Sequence, residues 1–230
     1  MKKLKIEVDA LHSVSGLLRN PPHARAGFVF AHGAGVGMTH PFMEAVASGL
    51  FERHIATLRY QFPYMEKGAK RPDAPAIARA TVRAAAAEVA RQCPDLPLIA
   101  GGKSFGGRMT SQAQAVSPLA GVRGLAFLGF PLHPAGKPSG ERAKHLFDID
   151  VPMLFFQGTR DKLAELPLIE RLMQSLGTRA SLQLFEHADH SFHVPVRSGW
   201  NDGDVIHLML DRLAAWIGAL LRPSVHGHPE

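Results

Sequence analysis

The sequence predicts an α/β protein with a mostly parallel central sheet, helices on both of its faces and no large lid domain. Three observations carry this. Apolar runs of strand length alternate along the chain with longer segments of helical pattern. Several of the runs, such as Gly27 to Ala31 and Met153 to Gln157, are apolar through most of their length and bounded by glycine or proline, as strands covered on both faces are. No break in composition divides the 230 residues, so one domain is expected over residues 1–223, with 224–230 as a loose tail.

Taken in order, Lys5 to Val8 and Ser13 to Leu18 read as two short strands. The loop Asn20-Pro21-Pro22-His23 leads to the strand Gly27 to Ala31. Pro41 to Arg53 places Phe42, Val46, Leu50 and Phe51 on one helical face, and Ile55 to Tyr60 is the next strand. Ala76 to Arg91, rich in alanine and free of Gly and Pro, is a helix that feeds the strand Pro97 to Ala100. Ser104 to Val116 is a helix stopped by Ser117-Pro118, and Gly124 to Phe130 is a buried strand. Glu165 to Leu176 is a helix closed by Gly177, Ala180 to Phe185 is the last strand, and Asp204 to Leu221 the last helix. Two connections, Gln61 to Pro75 and Pro131 to Asp150, are long for their type yet too short for a large lid.

Composition narrows the function. The formal charge of +6 and pI near 9.8 raise the question of nucleic acid, but the densest basic clusters, Lys67 to Arg71 and Arg142 to His145, are short and lack interleaved aromatics. No nucleic-acid partner is expected. Neither a signal-peptide pattern nor an apolar run of membrane-spanning length is present, so no membrane partner is expected either. Cys93 is the single cysteine, which excludes an intramolecular disulfide and agrees with a cytoplasmic location.

The chemistry is concentrated in Gly102-Lys103-Ser104-Phe105-Gly106, which joins an apolar strand to a helix. A serine at such an elbow sits on strained, tightly packed backbone, and Gly101, Gly102, Gly106 and Gly107 supply flanking residues without bulk. A serine nucleophile needs a base and a carboxylate to orient it, and the chain offers them in the order Ser104, Asp161, His190. Asp161 and His190 each follow the carboxyl end of an expected strand, so the three side chains gather at one sheet edge. The oxyanion donors are expected to be the Phe105 N–H and an N–H from the loop His32-Gly33-Ala34-Gly35, with Ala34 first and Gly35 next. No dinucleotide spacing accompanies these glycines, and no cofactor is implied.

His32-Gly33-Ala34-Gly35, the elbow, Gly158-Thr159-Arg160-Asp161 and Ala188-Asp189-His190-Ser191-Phe192 together resemble the oxyanion loop, nucleophile turn, acid turn and histidine turn of the α/β-hydrolase superfamily. Gly101 to Arg108 and Phe62-Pro63-Tyr64-Met65-Glu66 further resemble a compact, lidless, dienelactone-hydrolase-like branch, similar to testis-expressed hydrolase-like proteins and to a non-specific-lethal chromatin-complex subunit. The resemblance implies the hydrolase fold, with Ser104 as nucleophile, Asp161 as acid and His190 as base. Dienelactone hydrolases proper use cysteine, and Ser104 departs from that. The expected reaction is cleavage of a small ester, thioester or lactone through an acyl-enzyme, with a small acyl compound as the partner. The alternatives are a non-catalytic interaction module of the same fold, or a peptidase.

Other residues have competing readings. Asp148, Asp150 and Asp189 compete with Asp161 for the acid role, and chain order favours Asp161. His187, His190, His193 and Asp189 form a cluster of ligand-type residues, but without an HExxH helix or a cysteine pair no metal is expected. His32, Tyr60, Tyr64, Lys103 and Arg108 are expected at the pocket, with the Lys103 side chain aimed away from Ser104. Arg59, Arg108 and Arg160 read as structural ion pairs rather than substrate contacts.

Overall fold

The computed structural model describes residues 1–222; the expected tail at 224–230 lies outside them. Eight strands form one sheet: β1 (Lys2–Glu7), β2 (Ser13–Arg19), β3 (Ala26–Ala31), β4 (Ile55–Tyr60), β5 (Leu98–Lys103), β6 (Val122–Leu128), β7 (Met153–Gly158) and β8 (Ala180–Phe185). Their spatial order is β1-β2-β4-β3-β5-β6-β7-β8. The β1–β2 and β2–β4 pairs are antiparallel, and every pair from β4 to β8 is parallel. Among the described residues six α-helices accompany the sheet: α1 (Pro41–Glu52), α2 (Pro63–Glu66), α3 (Pro75–Gln92), α4 (Phe105–Val116), α5 (Leu166–Leu176) and α6 (Asp202–Leu220).

Alternate residues of the central strands face opposite layers, and both layers are apolar. Phe28 and Phe30 of β3, with Leu154 and Phe156 of β7, meet Val46 and Leu50 of α1 and Leu213 and Ile217 of α6. Val29, Ala31, Met153 and Phe155 face the other way, onto Val82 of α3, Met109 of α4 and Ile169 of α5. Burial on both sides is why β3 and β7 carry no exposed polar alternation.

Local signals fix most boundaries. Proline occupies the first turn of α1, α3 and α5, where its missing N–H leaves no helical bond unmade. The last helix starts at Asp202 rather than the expected Asp204, because Asn201 and Asp204 form a reciprocal capping box. Several expected strand ends move, most of all in three strands: β1 begins at Lys2, not Lys5, β5 runs to Lys103, not Ala100, and β6 spans Val122–Leu128, two residues earlier at each end than the expected Gly124 to Phe130. In β1 only Ile6 is buried, so pairing with β2, not hydropathy, defines its length.

β5 continues through Gly101 and Gly102 because neighbouring backbone crosses where side chains would stand. A Cβ on Gly102 would lie 2.5 Å from the Ala31 carbonyl oxygen, and one on Gly106 would lie 2.5 Å from the His32 oxygen and 2.6 Å from the Ala31 oxygen. These atoms are backbone of the central sheet and of the loop that follows β3, with little freedom to move. Gly106→Ala is therefore expected to destabilise the fold by about 3 kcal/mol, the upper range for overpacking, measured by urea denaturation.

No large lid covers the carboxyl edge of the sheet among the described residues. The Gln61 to Pro75 connection holds only the four-residue α2, and Pro131 to Asp150 holds a 3-10 helix at Glu141–Asp148. No helix among the described residues is long and apolar enough to cross a membrane.

Candidate active site

Ser104 sits between β5 and α4 with φ 50° and ψ −116°, left-handed backbone that a non-glycine residue occupies at a cost of roughly 1–3 kcal/mol. Its N–H is held by the Leu128 carbonyl at 3.1 Å, and its own carbonyl accepts the Arg108 N–H at 3.1 Å. The turn thus lifts the hydroxyl out of the strand toward the carboxyl edge.

Asp161, Ser104 and His190 meet there. His190 Nε2 is 2.8 Å from Ser104 Oγ, and His190 Nδ1 is 2.7 Å from Asp161 Oδ2. An ionised carboxylate only accepts, so Nδ1 carries the proton and Nε2 is left free to accept from the serine hydroxyl. Asp161 is only 4 % exposed, and its other oxygen accepts the Leu163 N–H at 2.7 Å. Gln157 Nε2 also donates to Asp161 Oδ2, while Gln157 Oε1 accepts the Phe130 N–H at 3.0 Å. Gln157 was not singled out from the sequence, although a polar residue ending an otherwise apolar strand was a readable signal.

Asp189 does not compete for the acid position: its carboxylate accepts the N–H groups of Ser191 at 2.7 Å and His193 at 3.0 Å, closing the histidine turn on itself. His193 pairs with Asp202 at 2.9 Å, and that carboxylate raises its pKa. His187 lies 3.7 Å from Glu186. Among the described residues no group of three metal-ligand side chains converges.

A cleft of about 190 Å³ opens beside Ser104, lined by Ala34, Val36, Phe42, Met43, Lys103 and His190 among others. Phe105 is the first residue of α4, so its N–H has no carbonyl one turn earlier to bond within the helix. Ala34 lines the cleft with Ser104, whereas Gly35 does not. Phe42, Met43 and Val36 are cleft walls that sequence reasoning missed, because α1 is read from its core face and Val36 is one apolar residue in a glycine-rich loop.

Four of the five expected pocket residues lie elsewhere. His32 is fully buried, with Nδ1 donating to the Gly33 carbonyl at 2.8 Å and Nε2 accepting the Phe62 N–H at 3.1 Å. Burial pulls its pKa down to about 4, against the Gly33 bond, so it is a neutral latch between two loops rather than a pocket group. Tyr60 is the last residue of β4 and faces the core, its hydroxyl directed at Thr110 without a hydrogen bond; burial raises its pKa. Arg108 stacks its guanidinium 6.0 Å from the Phe105 ring and does not line the cleft. Burial and then Arg142 lower its pKa. Tyr64 is 2 % exposed and packs edge-on against Phe105, ring centroids 6.4 Å apart, without lining the cleft.

Lys103 does reach the cleft wall, and its ammonium turns from Ser104 to the His190 carbonyl. Of the arginines, Arg59 is fully buried and paired with Glu44 at 2.5 Å, a structural contact as expected. Arg160 instead lines a separate hollow on the other side of His190, with Lys162, His187 and His193.

A parallel sheet of this strand order with a strained serine between β5 and α4 is the architecture of an α/β-hydrolase. The family profile described as an α/β hydrolase domain matches residues 24–218, and the chain belongs to that family. Among solved structures it is similar to a dienelactone hydrolase from Anabaena variabilis, with a TM-score of 0.76 and 21% identity over 96% of this chain and 98% of that one. It is also similar to XC6422 from Xanthomonas campestris, described as an α/β serine hydrolase without a lid, with a TM-score of 0.68 and 19% identity over 99% and 96% of the two chains. A third similar structure is an α/β serine hydrolase homologue from Coxiella burnetii, with a TM-score of 0.70 and 16% identity over 96% and 97%.

Proposed function

We propose that the protein is a serine hydrolase that cleaves a small ester, thioester or lactone through an acyl-enzyme on Ser104. The observation that carries this reading is the unbroken line Ser104 Oγ, His190 Nε2, His190 Nδ1, Asp161 Oδ2, with spacings of 2.8 and 2.7 Å. As Ser104 Oγ attacks the carbonyl carbon, His190 Nε2 takes the hydroxyl proton and Asp161 stabilises the imidazolium. The N–H groups of Phe105 and Ala34 receive the negative oxygen. His190 then gives its proton to the leaving group, and a water molecule, activated by the same nitrogen, releases the acyl group.

The walls support a small, largely apolar acyl group, because Val36, Phe42 and Met43 bound a cleft of about 190 Å³. The lone and buried Cys93 supports a reducing compartment, and we place the reaction in the cytoplasm. The test is a rapid-mixing experiment with p-nitrophenyl acetate. A burst of nitrophenol equal to the enzyme concentration, with one acetyl group found on Ser104 by mass spectrometry, is the expected result. Turnover that leaves no acylated Ser104 at any time, with no burst, contradicts the reading.

A further inference from the structure

Lys103 precedes the proposed nucleophile, and the chemistry above gives it no part. Its ammonium donates to the His190 carbonyl and lies 5.0 Å from the centroid of the Phe192 ring and 5.9 Å from that of Phe42. The two rings are nearly parallel, at 7° and 6.1 Å. One side chain therefore joins the elbow, the first turn of α1 and the histidine turn. It does so close to the imidazole: a Cβ on Gly129 would lie 2.9 Å from Lys103 Nζ and 3.4 Å from His190 Cε1.

The histidine turn is strained and held from several sides: the Ala188 carbonyl accepts the Arg160 N–H at 2.9 Å, Thr159 Oγ1 accepts the His187 N–H at 2.9 Å, and Asp202 accepts the Val194 N–H at 3.0 Å. His187 and Phe192 hold φ values of 62° and 66°, left-handed backbone that persists only where its surroundings over-determine it. Asp189 ties the turn to itself through Ser191 and His193. Those bonds fix the shape of the turn, whereas the Lys103 bond fixes its distance from the serine.

We infer that Lys103 is a positioning residue, which holds His190 at proton-transfer distance from Ser104 by clamping the histidine turn to the nucleophile elbow. The inference rests on the reading of Ser104 and His190 as nucleophile and base. A charged donor makes the stronger bond to the carbonyl, and only the charged form is attracted to the two ring faces. The carboxylates of Asp161 and Asp189 favour the charge and burial opposes it more strongly, which brings the Lys103 pKa down to about 8. The clamp is thus at full strength below that pH and weakens above it.

The experiment measures kcat and KM for p-nitrophenyl acetate between about pH 6 and 9.5 for wild type, Lys103→Met and Lys103→Gln, with circular dichroism to check folding. A displacement of about 1 Å costs about 10²-fold in rate, so kcat for Lys103→Met is expected to fall by about 10- to 100-fold with KM little changed. Lys103→Gln, which keeps a donor without charge, is expected between the two. Wild-type kcat is expected to decline above about pH 8, and neither variant to show that decline. Folded variants with wild-type kcat, or with the same alkaline decline, overturn the proposal. If neither variant folds, a wild-type profile without the decline overturns it. A wild type that hydrolyses no ester and takes no serine-directed label overturns the underlying triad reading instead, and so separates the two failures.

Discussion

Ser104→Ala is expected to lower kcat for any ester the protein turns over by about 10³-fold or more, leaving the residual rate that oxyanion donors and binding sustain without a nucleophile. The loss should appear in kcat and in kcat/KM together, because the removed oxygen forms a bond in the transition state and makes no comparable contact with bound substrate. Stability should change little. The hydroxyl has one side-chain partner, His190, which keeps its bond to Asp161, and alanine occupies the strained backbone at no greater cost than serine. A folded Ser104→Ala protein with undiminished turnover would place the chemistry on another residue.

Asp161→Asn is expected to cost about 10⁴-fold in kcat, for a different reason. The amide nitrogen of asparagine, placed toward His190, donates where the carboxylate accepted. The imidazole must then accept at Nδ1 and carry its proton on Nε2, where it meets the Ser104 hydroxyl with a donor instead of an acceptor. Placing the amide oxygen toward His190 instead would leave the nitrogen against the Leu163 N–H, which Asp161 now accepts at 2.7 Å. The first orientation also sets the amide nitrogen against the Gln157 Nε2 donor and the second sets it against the Leu163 N–H, so the substitution is expected to reduce stability as well. Steady-state kinetics with denaturation of the same preparation measures both.

Much of this site was legible because its chemistry depends on chain order and on local turns. Ser104, Asp161 and His190 each follow a strand whose apolar pattern is strong, and a parallel sheet brings such positions to one edge whatever the details of packing. Ile55–Tyr60 and Ala180–Phe185 were readable to the residue, since turn residues flank both. What sequence could not supply was the direction of side chains at the ends of elements. Tyr60 ends β4 next to the loop that carries Phe62 and Tyr64, which suggests a pocket position, yet it takes the core side of the strand. His32 stands in the oxyanion loop, but whether its ring enters the cleft or spans to Phe62 depends on where α2 packs. Lys103 could be placed only as the variable residue of the elbow. Its partners, Phe42, Phe192 and the His190 carbonyl, come from about 60 residues before it and about 90 after it in the chain.

The central claim is that Ser104 is an activated nucleophile. Incubation of the folded protein with a fluorophosphonate probe, followed by intact-mass measurement and peptide mapping, tests it without knowledge of the substrate. The account predicts one adduct per chain, on Ser104, absent from Ser104→Ala and slowed in Asp161→Asn. No adduct on the folded wild-type protein, or an adduct that survives in Ser104→Ala, would contradict it.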